Sequence, residues 1–455
     1  MPLTEEILLA IILNILVYLF GFRLIKSIGG VKVNMPYTLS LVLFVIYYFV
    51  TPIYFYFQGR KTIWGDEENY FGIGVDISDF YWISLIYYGI ANLLFICGYI
   101  LIAGKNSKRK LTNSIERKYI MKGILFSFVL CTGLVFINYL IEGINPIEVL
   151  LGDSENVLFG EGGASSYLRN FADSLIAINI CAFYYRLRNS YLIPMVLISI
   201  ILFLLMGFRY RIILVAIGYL FSYLFIAGKR INTLKLSLIG LLFAYGLLFV
   251  TYNRHIFIKG DWEKLTANPI EFDYSTFFEQ TRGMLDDITI IKYYETNPSA
   301  IHDYGITFTY FIIRAIPRAL IGDKVKDSFY PFPAQSIIYD AYDVQWAWGI
   351  SNTGEAPLHL AYFVIAGGLP FLFIGSFFVG FFLNRFKYRF PVESDRNKIL
   401  HIIVACAFFQ WITRGYFPGV IDHIAFMLIG YYMIIVISIG LRFIEKNQSI
   451  KLIRS

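Results

Sequence analysis

Apolar runs of membrane-spanning length recur along the whole chain and constrain it more than any other feature. A helix needs about 20 consecutive apolar residues to cross the hydrocarbon of a bilayer. Such runs lie near 6–24, 36–57, 81–103, 122–141, 168–185, 191–208, 212–227, 235–252, 358–383, 398–413 and 421–441. The pattern predicts an all-α polytopic membrane protein of about eleven transmembrane helices. Only 16% of the 455 residues are charged, against about 25% in a soluble domain. The first run follows Met-Pro-Leu-Thr-Glu-Glu, without the basic region or small-residue cleavage site of a signal peptide, so it is expected to stay as a membrane helix.

Basic residues set the orientation. The connection 104–122 carries Lys105, Lys108, Arg109, Lys110, Arg117, Lys118 and Lys122, which assigns it to the cytoplasm. The N-terminus then lies outside and the C-terminus inside. On that choice the cytoplasmic connections hold 24 of the 39 Lys/Arg but only 4 of the 32 Asp/Glu. The positive-inside asymmetry accounts for the net charge of +7, and no nucleic-acid partner is needed to explain it.

The division expected is 1–252 for eight helices with short outer loops, 253–357 for one large outer loop, and 358–455 for three helices and a cytoplasmic tail. Loops beyond about 15 residues are usually functional or disordered, and this one is rich in Tyr, Phe and Trp, so it is expected to fold. Within it Tyr304–Gly322 is apolar, but a span there would move the basic connection 384–398 outside. An interfacial or re-entrant helix is the better reading. The six tryptophans, Trp64, Trp82, Trp262, Trp346, Trp348 and Trp411, all fall on or near the outer side, as interface anchors or as platforms for sugar rings. Cys97, Cys131, Cys181 and Cys406 sit in apolar segments, where small buried hydrophobes are expected and neither a disulfide framework nor a metal site is. The chain has no P-loop, GxGxxG or HExxH motif, and neither a cofactor nor a metal is expected.

Ionisable groups at membrane depth or at span ends are costly and usually functional. On the outer side these are mainly arginines: Arg209 and Arg211 in a tight turn, Arg254 beside His255, Arg282, Arg314 and Arg318 four apart on the interfacial segment, and Arg414 shortly before Asp422 and His423. The planar guanidinium fork matches phosphate oxygens, so Arg209, Arg211, Arg282, Arg314, Arg318 and Arg414 are candidates to bind a lipid-linked diphosphate. Pairing with outer carboxylates is the competing reading. Where the large loop re-enters the membrane, Glu355 and His359 would share a face if helical, and either is a candidate catalytic base. A helix-capping role for Glu355 is the alternative. Asp286 and Asp287 are adjacent, which favours a solvated helix face over a metal site.

The Gly207-Phe-Arg209 turn between two middle spans, the large arginine-bearing outer loop, and the re-entry Asn352-Thr-Gly-Glu355 followed by Gly367-Gly-Leu-Pro370 together resemble the Wzy-type polymerases of O-antigen and capsule repeat units. The resemblance spans the chain in topology and rests on short motifs. It implies a GT-C-like membrane glycosyltransferase of the bacterial inner membrane, acting in lipopolysaccharide or capsule synthesis. Its donor and acceptor would be glycans on undecaprenyl diphosphate, and a chain-length regulator would be a partner. An O-antigen ligase, with His255, His302 or His359 as its outer histidine, is one alternative. A polysaccharide flippase is another; it predicts charged residues deep in many spans, where this chain has mainly Asp173 and Arg169 near one outer end.

Overall fold

A computed structural model describes residues 1, 3–62, 76–101, 116–141, 168–205, 210–226, 274–300, 302–316, 320, 322 and 357–454. Among them the secondary structure is helical throughout. In chain order the elements are α1 (Glu5–Ser27), α2 (Met35–Val45), a π-helical turn (Ile46–Val50), α3 (Thr51–Phe57), α4 (Tyr81–Ile100), α5 (Arg117–Ile141), α6 (Phe171–Tyr184), α7 (Asn189–Leu205), α8 (Tyr210–Ile226), α9 (Tyr274–Gln280), α10 (Gly283–Thr296), α11 (Ile306–Ala315), α12 (His359–Arg389), α13 (Asp395–Arg414) and α14 (Phe417–Arg454). Each apolar run within the described residues falls on a helix; the run near 235–252 lies outside them.

Among the described residues six stretches are long and apolar enough to cross a membrane: Glu5–Ser27, Met35–Phe57, Ser78–Ile100, Arg117–Ile141, His359–Arg389 and Phe417–Asn447. The apolar helices α6, α7 and α8 are shorter. Leu9, Leu16 and Leu19 on α1, Val129 and Leu140 on α5, and Val436 on α14 stand exposed. Apolar surface on this scale is unstable against water and stable against lipid. The chain is therefore a helical membrane protein.

Packing groups the chain into two compact units that interleave along the sequence: residues 1–108, 277–393 and 407–421, and residues 109–276, 394–406 and 422–455. The linear division expected from the runs, 1–252, 253–357 and 358–455, cuts across this grouping.

In the first unit α4 packs between α1 and α12. Gly98 and Gly380 let α4 and α12 touch backbone to backbone. A Cβ on Gly98 would strike the Phe377 carbonyl oxygen, and one on Gly380 the Phe95 carbonyl oxygen. Small residues serve this close approach where no hydrophobic force draws helices together in lipid. Polar side chains bind the layer as well. Asn14 Nδ2 donates to the Leu85 carbonyl at 2.8 Å, Asn92 Nδ2 to the Tyr18 hydroxyl at 2.7 Å, and Tyr99 to Asn34 Oδ1 at 2.7 Å.

Two irregularities shape this unit. Pro52 has no N–H to return to the Tyr48 carbonyl, and the Thr51 N–H reaches back five residues to the Ile46 carbonyl. The local outcome is the π turn, with Tyr48 buried inside it. The second lies in α12, whose 31 residues would measure about 46 Å as one rod, well over the roughly 30 Å hydrocarbon. It is broken at Gly367–Gly368, where Gly368 has φ +70° and ψ −159°, a conformation open to glycine. Pro370 withholds the N–H that would bond Ala366. The Ile365 carbonyl is taken instead by the Asp303 N–H at 3.1 Å, and His302 Nδ1 lies 3.3 Å from it. Asp303 then accepts from the N–H groups of Gly305 and Thr307 at the start of α11. That helix has ten residues, about 15 Å, and cannot span. Tyr310 on it is buried and Phe308 stacks on Phe363.

In the second unit α6 is buried along most of its length. Ser174 donates to the Phe426 carbonyl at 2.7 Å, and Asn179 Nδ2 to Ser199 at 2.8 Å. At the opposite, basic end Lys118 pairs with Glu445 at 3.0 Å, and Tyr184 donates to Asp395 at 2.6 Å. All four cysteines are free, and Cys131, Cys181 and Cys406 are buried.

Candidate functional site

The second unit holds a buried cluster of charge. Asp173 near the start of α6, Arg211 in the first turn of α8 and His423 near the start of α14 meet in one place. Arg211 Nε donates to Asp173 Oδ1 at 2.6 Å and Nη2 to Oδ2 at 3.3 Å. His423 Nδ1 lies 2.5 Å from Asp173 Oδ2. Its other nitrogen, Nε2, lies 3.0 Å from the Tyr210 hydroxyl. The guanidinium sits over the Tyr210 ring at 5.2 Å from its centre. The side chains of Asp173 and Arg211 are 1% and 3% exposed, whereas that of His423 keeps 12%.

Local chemistry explains the arrangement. A cation in the first turn of a helix opposes the helix dipole, and Arg211 is in that position. A carboxylate near the start of α6 is favoured by the dipole, and it offsets the arginine directly. Neighbouring contacts fix the geometry: α6 meets α14 at Ser174 with Phe426, and Ile180 on α6 meets Gly218 on α8. Partner numbers rise together with those of Asp173, so α6, α8 and α14 run parallel and gather three N-terminal ends.

The first unit holds the second polar centre. The sequence reading sets His359 on one helical face with Glu355. The structure corrects this: Leu358 is extended (φ −76°, ψ 174°) after Pro357, and α12 begins at His359 itself. Glu355 lies outside the described residues. The Tyr48 hydroxyl accepts the Leu360 N–H at 3.3 Å and lies 3.0 Å from His359 Nδ1. The ring also meets the backbone of Ile412. Phe44 stacks on the ring at 5.3 Å and Trp411 packs edge-on at 5.3 Å. His359 is 2% exposed, so it braces the start of α12. Trp411, 6% exposed among His359, Phe363 and Phe417, is core, and no platform for a sugar.

Asp286 and Asp287 depart from the solvated face expected of them, for both are wholly buried. The reason is tertiary: α10 packs its first turns against α12, and Asp287 Oδ1 accepts the Leu358 N–H at 2.7 Å. Burial pushes the Asp287 carboxyl well above the usual carboxylate range, against the opposing pull of the Leu358 N–H.

The arginines divide. Arg211 belongs to a helix instead of a turn, and its fork holds Asp173. Arg282 lies 3.6 Å from Glu279, which also binds Arg60 at 2.6 Å. Arg414 ends α13 and is exposed. Arg314 lies in α11, while Arg209, Arg318, Arg254 and His255 lie outside the described residues. His302 stacks on Tyr294 at 4.5 Å. Among the described residues no three His, Cys, Asp or Glu side chains converge as metal ligands do.

The sequence flags Asp173 as an intrusion into an apolar run. It does not disclose that Arg211 and His423, 38 and 250 residues away, are its partners. Compared with models of known protein families, with curated proteins and with solved structures, the chain matches none.

Proposed function

We propose that this chain is a metal-independent membrane glycosyltransferase that polymerises oligosaccharide repeat units carried on undecaprenyl diphosphate at the outer face of the bacterial inner membrane. About eleven spans, a GT-C-like plan and a large outer loop are part of the proposal. The observation that carries it is the gathering of Asp173, Arg211, Tyr210 and His423 at three parallel helix N-termini, beside the sequence position of Arg209. Helix N-termini and guanidinium groups favour an anion, and the basic-residue distribution supports an outer location for this end. Outer arginines would hold the diphosphate and stabilise the charge that grows on its bridging oxygen. The acceptor hydroxyl attacks the anomeric carbon of the growing glycan and the lipid diphosphate departs, a leaving group that needs no further activation. A chain-length regulator is the expected protein partner.

The test is the glycan ladder of a strain lacking this chain. Collapse of the ladder to a single repeat unit is the expected result. Long polymer left on carrier lipid would instead assign a ligase, and unpolymerised units held on the cytoplasmic face a flippase.

A further inference from the structure

Two histidines among the described residues, His359 and His423, have different surroundings. His359 is 2% exposed and packed among aromatic rings. His423 lies between a buried carboxylate and an hydroxyl, and its side chain keeps 12% exposure. Asp173 Oδ2 lies 2.5 Å from Nδ1 and sets a negative charge beside that edge of the ring, while Nε2 on the other edge lies 3.0 Å from an hydroxyl, that of Tyr210. Asp173 is itself fixed by Arg211 at 2.6 Å. A carboxylate that orients an imidazole whose far nitrogen accepts from an hydroxyl has the geometry of a nucleophile's general base. The groups facing His423 are Asp173 from α6, Tyr210 and Arg211 from α8, and its neighbour Asp422, with Tyr139 of α5 within electrostatic range of Arg211.

We infer that His423, oriented by Asp173, is the base that takes the proton from the acceptor sugar hydroxyl. The inference rests on the polymerase reading and deepens it. The acceptor hydroxyl displaces the Tyr210 hydroxyl from Nε2. As its oxygen bonds the anomeric carbon, its O–H electron pair enters the new C–O bond and its proton passes to Nε2. The bond from the anomeric carbon to the diphosphate oxygen breaks, and its electron pair leaves with the lipid diphosphate. The imidazolium is stabilised by Asp173 and returns its proton to water. Asp173 and Arg211 are positioning residues here, for neither touches the reacting atoms.

The experiment uses the full chain in lipid vesicles, with lipid-linked repeat unit extracted from cells that lack the chain. His423→Gln is expected to lower kcat about 100-fold or more, in line with the usual share of a general base, with KM little changed. His423→Gly should regain activity with added imidazole, a rescue that a purely structural histidine would not show. Wild-type kcat in His423→Gln, or no rescue of a folded His423→Gly protein, would overturn this inference and leave the polymerase reading standing. Absence of polymer from the unaltered chain would overturn both.

Discussion

Removing either partner of the Arg211–Asp173 pair leaves the other charge buried. Asp173→Asn keeps the shape and removes the charge, so the guanidinium of Arg211, 3% exposed, loses the carboxylate that holds its Nε and Nη2. Breaking a buried pair in this way costs about 3–5 kcal/mol, a fall of roughly two to three and a half powers of ten in the folded ratio. Arg211→Met should cost somewhat less, because His423 remains beside the carboxylate at 2.5 Å. The double variant Asp173→Asn with Arg211→Met buries no unpaired charge and should be markedly more stable than the sum of the single losses predicts, by about 2 kcal/mol or more. Titration of the detergent-solubilised protein with SDS, followed by tryptophan fluorescence and circular dichroism, measures all four corners of the cycle. Losses that simply add would refute the reasoning, because independent residues cannot be sharing a dehydrated site.

Other perturbations have equally definite outcomes. The raised Asp287 carboxyl keeps a proton that the unfolded chain gives up near about 3.9; its contribution to stability is complete below that pH and is lost as pH rises toward the folded value. Asp287→Asn should flatten this slope in SDS titrations run from acid to neutral pH. Gly380→Ala drives a Cβ into the Phe95 carbonyl and should cost about 1–3 kcal/mol, seen as lower yield of monodisperse protein and an earlier unfolding midpoint. His359→Phe keeps the stack on Phe44 but removes the ring nitrogen that lies 3.0 Å from the Tyr48 hydroxyl. A loss of about 1–3 kcal/mol is expected by the same titration, and it should shrink when Tyr48→Phe is already present.

Much of the fold was legible because lipid imposes a simple code. Runs of about twenty apolar residues became helices, and within Tyr304–Gly322 the described helix α11 has ten residues. What escaped was decided by partners far along the chain. Asp286 and Asp287 look solvated because adjacent residues diverge on a helix, yet α12 covers both. Glu355 and His359 look like a helical pair until Pro357 and the extended Leu358 intervene. Arg211 was legible as functional or costly, but its partner was not: Asp173 and His423 meet it only once α6, α8 and α14 lie parallel. His423 itself stood beside a flagged arginine in sequence, and only its place between the Asp173 carboxylate and the Tyr210 hydroxyl singles it out.

The π turn at Ile46–Val50 sets a register as well as a shape. One extra residue in a turn rotates everything before it by about 100° relative to everything after it. Residues before the turn meet α1 and α4 in one phase: Tyr18 donates to the Phe44 carbonyl at 3.1 Å and Tyr37 stacks on Tyr99. Residues after it meet the outer segment in another, with Thr51 2.9 Å from Thr281 and Tyr54 stacked on Phe278. A regular α-helix could satisfy only one of these sets. Deleting a single residue from the turn would therefore heal the local geometry and mismatch one half of the span against its neighbours, so the chain keeps an imperfect helix in order to serve two surfaces that are out of step.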